Sequence, residues 1–516
     1  MTTKSKILFI GIDAADKDLI LQWAKAGLLP TFQSLLEKGA WGITTNPVGL
    51  YVGAIWPSFA TGISPARHGC YSFSQLAPGT YRTTSYSVFD LKGELFWDVL
   101  SRAGRRVAIL DVPRTPPSVD LNGIQIVDWG THDPDLPDTL YTWPRSLAGE
   151  VEARFGRDPI GYCNRVTRTA DGLKKFRDDL VTRTEKKAEL SSYFLEQGGW
   201  DLFMTVFAES HCVGHQCWNL NDPTHPKHNP AIVNAIGNPI KDVYIAIDAA
   251  IGRLLNQVDP ETTVFVLASH GMGPHYDGTF MLDEILCRLE KVKPPTMRRQ
   301  VAKVLNSSWE QTPVLQGFLK PLRKYVWQPL RNRFWKIDKP VREALQEPDA
   351  AGRKCFTLPN NDVYGGIRVN LVGREPNGKI RPGAEYEAFC QELTQDLMAL
   401  VNVDTGKPLV QKVLRTAECY QGEYLDHLPD LMVEWNREAP ISSVYSPKTG
   451  KIEKEFQGVR TGDHKAEGIM FAIGPSIQPG KIEQPISVMD FAPTIASLLE
   501  VPLPEVDGKA IALSSV

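Results

Sequence analysis

The chain has 516 residues, with 57 Lys plus Arg against 60 Asp plus Glu, 42% hydrophobic and 9% aromatic residues. That length suits two or three globular lobes of one to two hundred residues each. A net charge of -3 excludes a general attraction to polyanions, so no nucleic-acid partner is expected and an anionic membrane would need a local patch.

The apolar run at 7–10 meets Asp13 too soon to be the hydrophobic part of a signal peptide. No stretch approaches the roughly 18 uncharged apolar residues of a membrane span. The eight cysteines are scattered without a paired framework, so a cytoplasmic protein with reduced thiols is expected.

In chain order, 7–12 reads as a strand buried on both faces, ending at Asp13. Apolar residues at helical spacing cover 19–36. Strands follow at 106–111, 202–207 and 263–268, and 239–258 reads as a long amphipathic helix. Buried strands alternating with helices predict an α/β fold, a doubly wound, mostly parallel sheet covered on both sides, with ligands at the strand C-termini. From 288 to 342 no buried strand is evident, and 14 Lys plus Arg face three Asp plus Glu. This basic, aromatic segment is predicted to be a helical insertion (288–345), with helices at 297–305 and 314–327 that form a lid, dock a partner or simply present a solvated surface. Strand-like alternation at 364–371, a helix at 386–401 and a strand at 431–435 then suggest a small α+β cap over 346–435. A Gly-rich return at 462–474 and a helix at 489–499 close the core formed by 1–287 and 436–516.

Polar residues collect just after the buried strands. Asp13 follows the first; Glu209, His211 and His215 follow 202–207; Ser269 and His270 follow 263–268; His464 opens the Gly-rich return. One histidine at a strand end is usually structural, but several with an aspartate on one edge point to a metal site. His211 and His215, four apart, face one side if that segment is helical. His275 lies close enough to His270 to belong to the pocket, whereas His68, His132, His225, His228 and His427 fall in loops and read as surface or supporting residues.

The segments GID at 11–13, WPSFATGISPARHG at 56–69, SHGM at 269–272 and TGDH at 461–464 occur in an order that resembles the type I phosphodiesterase/nucleotide pyrophosphatase family of the alkaline phosphatase superfamily. The resemblance extends to DPTHP at 222–226, to 364–373 and to 486–498, covering most of the chain outside the basic insertion. It implies an alkaline phosphatase-like fold and two metal ions, usually zinc, beside a Thr or Ser nucleophile. Carried over, one metal position corresponds to His211, His215 and His464, the other to Asp13, Ser269 and His270. The family has Asp in place of His211 and of Ser269, so the second position is expected to be weak or empty, with Ser269 at most a weak ligand.

The resemblance places the nucleophile nine residues before the Thr of a Thr-Gly turn; counted back from Thr61, that position falls on Val52, which has nothing to attack with. Tyr51 beside it is a candidate nucleophile or acid, given an activating cation. Glu209 is a candidate general base or extra ligand. The expected function is therefore a metal-dependent hydrolase of a phosphoester or related small anionic ester, acting through metal-activated water. Zn is the expected metal, with Mn or Fe as alternatives. Two other readings stay open: a lyase, isomerase or group transferase reusing the pocket, and a non-catalytic binding protein. The oligomeric state is not legible.

Overall fold

The apolar run at 7–12 becomes the centre of a nine-stranded sheet. The computed structural model describes residues 6–131, 140–161, 163–292, 350–360 and 363–513. In it, Lys6–Ile12 pairs in parallel with Leu202–Phe207 on one side and Thr262–Ala268 on the other. From edge to edge the strands run Gly480–Ser487, Ala40–Thr45, Gly468–Ile473, Thr262–Ala268, Lys6–Ile12, Leu202–Phe207, Val107–Leu110, Gly123–Val127 and Tyr141–Trp143. Gly468–Ile473 and Tyr141–Trp143 run against the others. Successive side chains alternate between faces: Leu8, Ile10 and Ile12 join one hydrophobic core, Ile7 and Phe9 the other. From Ile7 to Ile12 the central strand is apolar because both faces are covered, as the sequence predicts.

The helical spacing at 19–36 is realised as two helices, Lys17–Lys25 and Pro30–Lys38. Gly27, at φ 73°, follows the C-cap and stops the first helix, and Pro30 opens the second, where its missing N–H is harmless. The Gly-rich return is likewise two strands. Gly462–Lys465 pairs with Gly271–Pro274, and Gly468–Ile473 enters the main sheet. A Cβ at Gly468 would lie 2.1 Å from the carbonyl oxygen of Ala268, so only glycine fits that crossing.

A third core joins the helix Thr279–Leu289 to the helix Ala384–Met398 and to a four-stranded antiparallel sheet. That sheet has the order Cys355–Leu358, Tyr364–Val369, Leu431–Trp435, Val410–Arg415. The helices predicted at 297–305 and 314–327 lie outside the described residues. Among the described residues no helix is long and apolar enough to cross a membrane.

Candidate metal centre

Parallel strands end at one edge of a sheet, and three of these endings, with the 462–465 ribbon, meet at a cavity of about 470 Å3. The Asp13 N–H donates to the carbonyl of Phe207 at 2.8 Å, and the Ser269 N–H donates to that of Ile12 at 3.0 Å, which fixes both residues at their strand ends. His211 and His215 lie one turn apart on the helix Glu209–Asn221, with ring centroids 4.6 Å apart. His464 sits opposite Met272 in the antiparallel register of its ribbon, and this brings it within 4.8 Å of the His270 ring.

One ring nitrogen from each of His211, His215 and His464 lies within 4.8 Å of the other two. His211 Nε2 and His464 Nε2 are 2.9 Å apart. His215 Nδ1 donates to the carbonyl of Gly462 at 2.8 Å, and His464 Nδ1 is 3.0 Å from Asp463 Oδ1. Holding the proton on Nδ1 leaves the lone pair on Nε2, the nitrogen that faces the cluster. Lone pairs so close need a proton or a cation between them. A tetrahedral zinc ion with bonds of about 2.0–2.1 Å sets its ligands roughly 3.3 Å apart, so the donor set fits one such ion.

The other sequence-predicted set converges less. Asp13 Oδ1 accepts the Trp56 indole N–H at 2.9 Å and lies 3.8 Å from His270 Nδ1. Ser269 Oγ is 2.9 Å from His270 Nδ1 and 3.3 Å from the carbonyl of Ile12, so its hydroxyl is engaged with neighbours. His270 Nε2 is buried without a hydrogen-bond partner. Burial, and then the neighbouring His464, push the His270 pKa well down, keeping the ring neutral.

Val52 lines the cavity with Asp13, His211, His270 and His464. It is the second residue of the helix Tyr51–Thr61, whose start carries no side-chain cap. Tyr51 is buried behind it, its ring 6.2 Å from His270 and 6.1 Å from Tyr364, and burial drives its phenol well above its ordinary pKa. Glu209 points away from the cavity into the core, where Arg183 Nε donates to it at 2.8 Å and neither side chain is exposed. Burial raises its pKa, against the opposing pull of Arg183 and Lys187. Neither Tyr51, Glu209 nor His275 is on the cavity wall; His275 instead joins Asp277 and Asp463 behind His464.

Of the two roles expected for His68, surface or supporting, the structure shows a buried supporting one. It is wholly buried, with the Cys70 N–H donating to Nδ1 at 3.1 Å and Ser58 Oγ at 2.8 Å from Nε2, and burial lowers its pKa to about 3. His225 is buried too, stacked on Tyr276, while His132 lies outside the described residues. Sequence reasoning missed much of the wall, including Phe73, Arg114, Asp128, Asn360 and Arg460. Arg114, at φ 58°, lies over the Phe73 ring at 4.0 Å, a placement without a local sequence signal. Trp56 and Asp463 stood inside the quoted motifs, which marked their positions but not what they hold.

Residues 7–462 match the family model described as type I phosphodiesterase / nucleotide pyrophosphatase. No curated protein matches the chain. Among solved structures, phosphonoacetate hydrolase from Sinorhizobium meliloti 1021 in complex with phosphonoformate is similar over 96% of each chain, with TM-score 0.53 and 14% identity. Murine ectonucleotide pyrophosphatase/phosphodiesterase 5 is similar over 98% of each chain, with TM-score 0.50 and 12% identity. The human form gives 98% of this chain and 97% of that one, with the same TM-score and identity. At such identities the likeness shows the fold, an alkaline phosphatase-like one.

Proposed function

Since the chain belongs to the type I phosphodiesterase/nucleotide pyrophosphatase family, we propose that it is a metal-dependent hydrolase of a small anionic phosphoester that dispenses with a covalent phosphoenzyme. The observation that carries this reading is Val52 on the wall of the cavity faced by the imidazole cluster. An isopropyl group has neither a lone pair to attack phosphorus nor a proton to transfer.

His211, His215 and His464 would hold a divalent cation, zinc by their chemistry, with Mn or Fe as alternatives. Such an ion supplies Lewis acidity toward a phosphoryl oxygen and acidifies water near neutral pH. The chain's own residues do the rest. Neutral imidazoles leave the site positive, which selects an anionic substrate. The uncapped helix start at Tyr51 and Val52 adds the positive end of its dipole beside the cavity. Arg114 and Arg460 on the wall offer guanidinium groups to the remaining phosphoryl oxygens. The Trp56 indole holds Asp13 in one orientation, and Tyr51 supports His270 by packing.

Turnover of a chiral thiophosphate diester tests the proposal. Direct attack by water inverts configuration at phosphorus; retention, the result of two displacements through a hydroxyl, would overturn it. Val52 also favours a second reading, a lyase, isomerase or group transferase built on the same pocket. Absence of any phosphoester hydrolysis by metal-replete protein would favour that reading.

A further inference from the structure

We propose that Asp277, His275 and Asp463 form a buried relay that positions His464; this rests on the reading of His464 as a metal ligand. Asp277 Oδ2 is 3.0 Å from His275 Nδ1, and His275 Nε2 is 3.6 Å from Asp463 Oδ2. The other oxygen of Asp463 is 3.0 Å from His464 Nδ1 and accepts the His464 backbone N–H at 2.8 Å. The four side chains are at most 3% exposed, so solvent screens none of these contacts.

Each member is held from outside the relay. Asp277 Oδ1 accepts the N–H of Thr279 at 3.0 Å. The His275 N–H donates to the carbonyl of Thr461 at 3.1 Å, and its ring is stacked on Phe456 with centroids 4.0 Å apart. The ring therefore cannot rotate without leaving both carboxylates. It faces a different carboxylate with each nitrogen. One ligand atom from each of His275, Asp277 and Asp463 also lies within 4.8 Å of the other two, so a cation shared by the three is the competing reading, and the zinc count below separates it from the relay. A carboxylate behind a ligating imidazole fixes its tautomer and orientation, and its removal typically weakens metal binding 10–100-fold. Here the carboxylate lies 3.6 Å from His275 Nε2, a charge contact rather than a hydrogen bond, so His275 and Asp277 act on the ion only through the position of Asp463.

The test is zinc stoichiometry and affinity of the full chain, measured by competition with a chromophoric chelator, for the wild type, Asp463→Asn, His275→Gln and the double variant. The expected result is one equivalent of zinc throughout, an affinity loss of roughly 10–100-fold for Asp463→Asn, and a smaller loss for His275→Gln. The double variant should be no weaker than Asp463→Asn, because the two residues act in series. Unchanged affinity in both single variants, with only the metal-free melting temperature lowered, would overturn the relay and leave the three-histidine site standing. So would additive losses, or an equivalent of zinc that disappears with His275→Gln. A wild type that binds no zinc, manganese or iron would overturn the three-histidine reading and the relay with it. If Asp463→Asn does not fold, His275→Gln alone decides, and a weakened single equivalent is still required.

Discussion

Glu209 stands two residues before His211, yet the structure ties it to stability instead of to the reaction. Its Oε1 accepts from Arg183 Nε at 2.8 Å, and both side chains are fully buried. Breaking a buried pair by removing one charge leaves the other uncompensated and costs about 3–5 kcal/mol. Asp158 lies 3.3 Å from Arg183 Nη1 and retains part of the compensation, and Gln at 209 keeps an acceptor, so Glu209→Gln should fall near the lower end, about 3 kcal/mol. At roughly 2.1 cal/mol/K per residue, a cooperative unit of 516 residues loses about 1 °C per kcal/mol, or about 3 °C in Tm. Denaturant unfolding at 25 °C and thermal scans of metal-replete protein would measure it, with hydrolysis of an aryl phosphodiester assayed alongside. The Glu209→Leu/Arg183→Met double variant should be more stable than either single change, because Asp158, the acid that loses Arg183, is partly exposed and keeps the N–H donors of Ile160 and Gly161. A Glu209→Gln protein of unchanged stability that has lost a hundredfold or more in kcat would refute this reasoning and make Glu209 the general base.

Three further outcomes are expected. His211→Ala should release the bound metal and remove the stabilisation it gives, roughly 4 kcal/mol at a thousandfold excess over Kd, so elemental analysis and a melt with and without chelator check it together. Val52→Thr alone should recover little phosphoenzyme chemistry, while Val52→Thr with Ser269→Asp should recover more than either; mass spectrometry of trapped protein reads the covalent species, and equality of all four proteins would count against the mapping of these positions. His68, at about 3 when folded against an ordinary 6.5, is protonated preferentially in the unfolded chain, so its stabilising effect is complete above pH 6.5 and falls as the pH drops toward 3. The loss should reach about 2 kcal/mol by pH 5, and His68→Gln should flatten the stability–pH curve over that window by up to about 1.4 kcal/mol per pH unit.

What was legible in the sequence follows from what has a local signature. The strands at 7–12, 202–207 and 263–268 announce themselves because burial on both faces demands continuous apolar runs, and the polar residues after them had to fall on one edge. His211 and His215 were readable as a pair because four residues make one helical turn. Gly468–Ile473 was hidden in a glycine-rich stretch: glycine signals a turn locally, and only the approach to Ala268 gives it a place in a sheet. Arg183 was invisible for the opposite reason, since a charged residue on a helix reads as solvent-facing until Glu209 and Cys212 are seen around it. The link between His275 and Asp463 is a register effect of the Gly271–Pro274 and Gly462–Lys465 ribbon, and no spacing along the chain encodes it.

The departures from the family pattern make electrostatic sense as a set. The resemblance assigns three carboxylates to two dications, which leaves one net positive charge for the substrate. With His211 and Ser269 in place of two of those carboxylates, Asp13 is the single acid remaining among the mapped ligands, and one dication against it leaves the same net charge. A second dication at Asp13, Ser269 and His270 would add two further charges to a buried wall. Losing the hydroxyl at Val52 belongs to the same balance. In the family arrangement a nucleophilic oxygen needs a neighbouring cation to be deprotonated, so the proposed weak or empty second position also predicts that a hydroxyl at position 52 would lie unactivated. Val52 is half-buried on that wall, and its apolar side chain adds no polar atom in need of a partner.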